Sequence, residues 1–144
     1  MGEGSIRVVV ADDHEPFRRA LAHLLSLERD FEVVGQAANG REACEVVAEL
    51  TPDLVFLDLV MPELDGAAAA HEIRKRCPET KIIILSVFNQ ESIIRRGLEA
   101  GADRYLTKGI SRQELIAAAK AVAAEPHHRD TQRHEHSSAT GIFG

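Results

Sequence analysis

The sequence contains no tryptophan, and aromatic residues make up only 4% of its 144 residues. Because 44% of the residues are nevertheless hydrophobic, the chain can bury a core of one domain's size, and that core must be mainly aliphatic. No apolar run is long enough to span a membrane. The first residues, MGEGS, also lack the apolar segment of a secretory signal. These absences predict a cytoplasmic protein without a membrane partner.

Cysteine and positive charge are also scarce. The two cysteines, Cys44 and Cys77, fall in helix-like segments, and two distant thiols are too few for a disulfide framework or a metal site. We interpret them as small buried hydrophobes in a reducing compartment. The formal net charge is -6 and the pI is about 5.6. Because nucleic-acid binding needs clustered Lys and Arg, we expect no direct DNA contact from this chain.

The sequence does contain a regular alternation of short apolar runs and amphipathic segments. The apolar runs predict strands at residues 6–11, 31–37, 54–57, 81–85 and 104–107. A segment with helical spacing or capping residues follows each of them. Such alternation is typical of an α/β protein with a parallel sheet and helices on both faces.

Turn and cap residues mark the helix ends. Asn89 or Ser92 is expected to cap the fourth helix, and Gly101 is expected to stop it. Ser111 and Glu114 have the spacing of a capping box at the start of the fifth helix.

The alternation stops near residue 125, which predicts one domain over residues 1–125. Residues 126–144 are rich in His, with Ser, Thr, Arg and Gly, and have no apolar periodicity. We predict that they form a disordered tail. Clustered histidines can bind metal, but their mixed spacing favours a solvated tail.

Polar residues follow four of the predicted strands. Asp12 and Asp13 follow the first strand, Asp58 the third, Ser86 the fourth and Lys108 the fifth. Because the carboxyl ends of parallel strands meet at one edge of a sheet, we expect these side chains to share one crevice. Three converging carboxylates would repel one another unless a cation lay between them. Mg²⁺, which takes oxygen ligands, is the expected cofactor.

An ammonium group and a hydroxyl beside these carboxylates point to phosphoryl transfer onto Asp58. The metal and Lys108 would neutralise phosphoryl oxygens while the carboxylate attacks, and Ser86 would add a hydrogen-bond donor. Each residue alone has an ordinary explanation, as a turn, a helix cap or a surface lysine. Their joint occurrence at the strand ends favours a phosphoacceptor site.

These residues and their neighbours resemble the motifs of the response-regulator receiver domain of two-component signalling. The motifs are Asp12-Asp13, Asp58 with Met61-Pro62 and Asp65-Gly66, Ser86, and Tyr105 before Lys108. The resemblance covers about Ile6 to Ala124. Within the family, the sequence is similar to the NarL-type (LuxR-like) branch in particular. The resemblance implies a flavodoxin-like (βα)5 doubly wound sandwich with five parallel strands in the order 2-1-3-4-5. It also implies a protein that accepts phosphate and not an enzyme that turns substrate over.

The resemblance implies a role for each site residue. Asp58 would accept the phosphoryl group from a histidine kinase or a phosphotransfer protein. Asp13 would bind Mg²⁺ directly and Asp12 mostly through water, with Asp58 and the backbone carbonyl of Val60 as further ligands. The remaining roles belong to three residues: Lys108 would contact the phosphoryl group, and Ser86 and Tyr105 would act as a coupled switch. Asp65-Gly66 would open the third helix, and phosphorylation would favour a homodimer.

The sequence departs from the family pattern in two ways. Gly109 follows Lys108, where family members often carry a proline in a cis peptide, which predicts a looser loop. The two positions that tune phosphoryl lifetime are the bulky apolar residues Val60 and Phe88. Neither can orient an attacking water molecule, so we predict slow autodephosphorylation.

Two other function classes remain as alternatives. A haloacid-dehalogenase-like phosphatase also has a nucleophilic Asp at a strand end, but it needs a second Asp where this chain has Val60. A flavodoxin-like module that only binds ligands would leave the three carboxylates unexplained. NarL-type relatives usually carry a DNA-binding domain after the receiver. This chain is therefore either a stand-alone receiver or part of a transcriptional regulator.

Overall fold

A computed structural model of the protein describes residues 4–126, in which strands and helices alternate. The elements are β1 Ile6–Ala11, α1 Glu15–Ser26, β2 Phe31–Ala37, α2 Gly40–Leu50, β3 Leu54–Leu57, α3 Gly66–Arg76, β4 Lys81–Ser86, α4 Glu91–Glu99, β5 Arg104–Thr107 and α5 Arg112–Ala124. The predicted α/β alternation is confirmed. The predicted tail falls, apart from its first residue, outside the described residues.

The five strands form one parallel sheet in the order β2-β1-β3-β4-β5, which confirms the predicted flavodoxin-like topology. Every residue of the central strands β3 and β4 is buried, because helices cover both faces of the sheet. Since all strands run the same way, their carboxyl ends lie along one edge. The polar residues that follow the strands are therefore delivered to that edge.

The sheet separates two hydrophobic clusters. Side chains such as Val9, Val55 and Ile82 pack on one face with α2 and α3. Their strand neighbours point the opposite way and pack with α1 and α5, as Val10 and Phe56 do. This period-two alternation is what strand geometry requires. The core is aliphatic, as expected.

The structure confirms the predicted capping box of α5 and the end of α4 just before Gly101, but not the predicted cap at the start of α4. Asn39 accepts a hydrogen bond from the backbone of Glu42 at the start of α2, and the capping box at the start of α5 is present. The expected cap of α4 at Asn89 or Ser92 is wrong. The N-cap is Gln90, which makes no side-chain cap bond. Its backbone carbonyl accepts the first helical N–H groups, so the path of the preceding loop sets this helix start.

The edge of the sheet opposite the crevice contains a buried ionic network. Arg74 pairs with Asp103 at 2.6 Å, and both side chains are nearly buried. Its guanidinium also donates to the backbone carbonyls of Pro78, Thr80 and Gly101. The network joins α3 to the turns that enter β4 and β5, so it fixes the end of the sheet remote from the site.

The interpretation of the cysteines as small hydrophobes fits Cys44 best. Both thiols are free; Cys44 is buried and Cys77 is half-buried. Burial raises the pKa of the Cys44 thiol, which suits a residue that packs and does not react. None of the helices within residues 4–126 has the length and apolar character needed to cross a membrane.

Candidate functional site

Adjacent strands bring the acidic residues together. Ala11 at the end of β1 pairs with Leu57 at the end of β3, and the backbone N–H of Asp58 donates to the carbonyl of Ala11 over 3.0 Å. Asp12 and Asp58 therefore leave neighbouring strands at the same level, and Asp13 follows on the β1 side. The structure thus places the three residues in one crevice.

The geometry of the three carboxylates suits a hard cation. One oxygen from each of Asp12, Asp13 and Asp58 lies within 4.8 Å of the others. Asp12 and Asp58 are buried, whereas Asp13 is exposed at the mouth. Three oxygen ligands with open positions for water match what Mg²⁺ requires. Within residues 4–126, no other group of His, Cys, Asp or Glu side chains comes together in this way.

Lys108 reaches the same crevice from the end of β5. Its Nζ lies 2.8 Å from Asp12 Oδ2 and 3.7 Å from Asp58 Oδ1. The ammonium therefore forms its shorter ion pair with Asp12 and a longer one with Asp58. Its side chain is only 15% exposed, so these charges interact through little water. The same Nζ lies 4.3 Å from the centre of the Phe17 ring.

The electrostatics of the crevice disfavour a charged Asp58 without a metal. Burial, followed by the neighbouring carboxylate of Asp12, raises the pKa of Asp58 to about 6. Lys108 and the backbone N–H of Leu59, which donates to Asp58 Oδ1 over 2.9 Å, act in the opposite direction. The net result is a carboxylate that any added cation would stabilise.

Ser86 and Tyr105 meet at one loop residue. Ser86 is fully buried, and its Oγ accepts a hydrogen bond from the backbone N–H of Phe88 over 3.2 Å. The Tyr105 hydroxyl donates to the backbone carbonyl of the same Phe88 over 2.8 Å. The ring lies beside Gly97 of α4, where an added Cβ would come within 3.2 Å of it. A movement of this loop would therefore change the hydrogen bonds of both side chains.

The loop between β3 and α3 is held close to the crevice by glycines. A Cβ on Gly66 would lie 2.2 Å from the backbone oxygen of Asp58, and one on Gly40 would lie 1.7 Å from the backbone oxygen of Leu64. Asp65 caps α3 through the N–H of Ala68, as the sequence predicted for the start of this helix. Val60, in the same loop, is 58% exposed.

Several supporting contacts were not found from the sequence. The backbone N–H of His14 donates to Asp12 Oδ1, and the Arg18 guanidinium donates to the backbone carbonyl of Asp12. Asp65 also pairs with Arg96 of α4 at 2.9 Å. The first of these is an Asx turn, which an Asp two residues before the donor can indicate. The two arginine contacts and the Phe17–Lys108 contact have no local signature.

The fold and the site define a flavodoxin-like protein with an acidic crevice at the carboxyl ends of its strands. The family model of the response regulator receiver domain matches residues 8–120. The chain belongs to the response-regulator receiver family.

Named relatives show the branch of this family. The chain is 36% identical to the transcriptional regulatory protein DegU of Brevibacillus brevis over 85% of this chain and 52% of that protein. It is 38% identical to the response regulator VraR of Staphylococcus aureus over 81% of this chain and 56% of that protein. The receiver domain of the putative response regulator NarL from Mycobacterium tuberculosis superposes with a TM-score of 0.81 at 34% identity, covering 85% of this chain and 98% of that one. These relatives support the NarL-type assignment, and the chain spans about half the length of DegU and VraR.

Proposed function

We propose that this protein is a Mg²⁺-dependent phosphoacceptor that takes a phosphoryl group onto Asp58 from a histidine kinase or a phosphotransfer protein. One observation carries the proposal. Three carboxylates with oxygens within 4.8 Å of one another share a crevice with an ammonium 3.7 Å from Asp58. Two buried carboxylates beside a third one are costly to maintain for stability alone.

The metal would be held by Asp12, Asp13 and Asp58, with the backbone carbonyl of Val60 as a further ligand. When bound, Mg²⁺ would supply charge neutralisation for phosphoryl oxygens. The donor set is all oxygen, and Asp13 is open to water, so several coordination positions can stay hydrated.

The transfer step forms one bond and breaks one. A carboxylate oxygen of Asp58 bonds to phosphorus while the bond from phosphorus to the donor atom breaks and its electron pair leaves with the donor. For a kinase the donor atom is a histidine nitrogen; for acetyl phosphate it is an acetate oxygen. Lys108 contacts the transferred group and stabilises its charge, and Ser86 donates a hydrogen bond to one of its oxygens.

The acyl phosphate is expected to be long-lived. Val60 and Phe88, which are 58% and 36% exposed, are the apolar residues at the two positions that the family resemblance links to phosphoryl lifetime. Neither can hydrogen-bond a water molecule in line with the phosphorus. Hydrolysis therefore proceeds without a positioned nucleophile, and a half-life of seconds in the absence of a phosphatase would contradict this expectation.

The signal would leave through the loop after β4. A phosphoryl group adds about -1.5 to -2 charge, which draws the Ser86 hydroxyl toward it and removes that hydroxyl from the N–H of Phe88. Because Tyr105 bonds to the carbonyl of the same Phe88, its ring and α4 would shift with the loop. The readout surface is then α4, β5 and α5, used for a homodimer or another protein partner. If the protein forms part of a transcriptional regulator, we expect that the receiver domain itself does not contact the DNA.

The test is incubation of the protein with Mg²⁺ and acetyl phosphate, followed by intact mass measurement. We expect one added phosphoryl group on the wild type, none on Asp58→Asn, and none when a chelator removes the metal. Glu45→Gln, which removes an exposed carboxylate of α2 that is not one of the three crevice carboxylates, is the matched control and should react like the wild type. A wild type that stays unmodified would overturn the proposal.

The two competing classes make different predictions in the same assay. A haloacid-dehalogenase-like phosphatase would turn over a phosphomonoester steadily, whereas a phosphoacceptor stops after one equivalent. A module that only binds ligands would acquire no covalent phosphate. Val60 occupies the position where the phosphatase needs a second Asp, which disfavours the first class.

A further inference from the structure

Lys108 has one partner that is not itself part of the acidic crevice. Its ammonium contacts Asp12 at 2.8 Å and Asp58 at 3.7 Å, and both of these carboxylates would change partners when metal and phosphate arrive. The third contact is the face of Phe17, with Nζ 4.3 Å from the ring centre. This distance is well inside the range of a cation–π interaction.

We propose that Phe17 is a positioning residue for phosphoryl transfer, which holds the Lys108 ammonium at the crevice through its aromatic face. The inference rests on the proposed function, because it assigns to Lys108 the contact with the transferred group. A metal ion held by Asp12, directly or through water, would compete with the ammonium for that carboxylate. The uncharged ring is unaffected by this competition, so it keeps the ammonium in place as the charges around it change.

The fold gives the Phe17 ring a fixed place, and this ring is the one uncharged group that contacts the ammonium among those described above. Phe17 lies in the first turn of α1 and packs on the cluster between the sheet and α1 and α5. It lines a cavity of about 160 Å³ together with the lysine and with apolar side chains of α1, β4 and α5. The residue after the lysine, Gly109, is exposed, and a Cβ there would meet nothing within 4 Å. The residue after the lysine therefore adds no side-chain contact, although the backbone N–H of Lys108 donates to the carbonyl of Ser86 over 2.8 Å.

Substitutions separate the aromatic face from the apolar bulk. Phe17→Leu keeps an apolar side chain and removes the ring, whereas Phe17→Tyr and Phe17→Trp keep an aromatic face. Leu24→Ala enlarges the same cavity without a contact to the ammonium and is the matched control. Each variant of the full 144-residue protein is assayed for its rate of phosphorylation by acetyl phosphate and, separately, for Mg²⁺ affinity. Circular dichroism is used to check that each variant is folded.

We expect Phe17→Leu to slow phosphorylation about tenfold, which corresponds to about 1.4 kcal/mol and lies within the range of a desolvated cation–π contact. The two aromatic variants and Leu24→Ala should stay within about twofold of the wild type. Mg²⁺ affinity should be unchanged in all of them, since a general disturbance of the crevice would lower it as well.

The outcomes distinguish this inference from the function on which it rests. A wild type that reacts, with Phe17→Leu reacting as fast, overturns the positioning role alone. So does an aromatic variant as slow as Phe17→Leu, or a loss of Mg²⁺ affinity that matches the loss of rate. A wild type that never reacts overturns the proposed function and this inference together.

Discussion

Replacing Asp58 by Asn is expected to stabilise the metal-free protein above neutral pH. The pKa of this carboxyl rises from 3.8 to about 6 in the folded chain, first because of burial and then because of Asp12. The charged form is therefore less stable in the folded protein than in the unfolded one. That difference in pKa corresponds to about 3 kcal/mol, and the open mouth of the crevice admits water that screens the charge, so we expect about 2 kcal/mol.

The sign of the pH dependence follows from the raised pKa. Above about pH 7 the wild type carries nearly the full penalty, because Asp58 is then ionised in both the folded and the unfolded states. As pH falls through the folded pKa of about 6, the folded protein takes up the proton first and the wild type gains stability. The advantage of the variant should shrink to about 0.5 kcal/mol at pH 4.

The assay is urea unfolding with a chelator present, at pH 8 and at pH 4. We expect the free energy of unfolding of Asp58→Asn to exceed that of the wild type by about 2 kcal/mol at pH 8. Glu45→Gln, the exposed control, should stay within about 0.5 kcal/mol of the wild type at both pH values. A variant no more stable than the wild type at pH 8, or equally favoured at pH 4, would refute the electrostatic reasoning.

Three further predictions concern other parts of the molecule. Arg74→Ala should lower the free energy of unfolding in urea by about 3–5 kcal/mol, because it leaves a buried carboxylate unpaired. Gly40→Ala should lower the melting temperature, since its Cβ would lie 1.7 Å from the Leu64 backbone oxygen. In the same thermal melts Gly109→Ala, whose Cβ would meet nothing within 4 Å, should be neutral or stabilising by up to about 1 kcal/mol. The intrinsic emission of Tyr105, the single tyrosine in a chain without tryptophan, should change on phosphorylation of the wild type and stay constant in Asp58→Asn.

The fold could be predicted from the sequence because its main signals are local. The run that becomes β3 is apolar without interruption, as a strand covered on both faces must be. The residue that follows each strand is equally local, and parallel topology then brings Asp12, Asp58 and Lys108 to one edge. The structure places them within contact of one another.

What could not be predicted depends on long-range packing. Phe17 follows the apolar spacing of α1, and that pattern assigns it to the core without indicating that its face meets an ammonium from β5. Lys81 opens β4, where a lysine would ordinarily be exposed. It is 97% buried because its Nζ reaches the backbone carbonyls of Val122 and Glu125 at the end of α5. Contacts between such distant segments leave no periodic or capping signal in the sequence.

The start of α4 shows a different limit. Asn89 and Ser92 are both good N-caps by residue type, yet the cap is Gln90, whose side chain makes no capping bond. The capping preference of a side chain predicts a helix start only when the conformation of the preceding loop allows that residue to occupy the N-cap position. Here the loop is tied to Ser86 and Tyr105 through Phe88, and those contacts set the position at which the helix begins.

Peptide mapping shows which carboxylate of the crevice receives the phosphoryl group. The protein is treated with acetyl phosphate and Mg²⁺, reduced with borohydride, which converts an acyl phosphate of aspartate into homoserine, and digested for mass spectrometry. We expect homoserine at Asp58 and unmodified aspartate at Asp12 and Asp13. Homoserine at another aspartate, or none after exhaustive treatment of folded protein, would mean that Asp58 is not the phosphoacceptor.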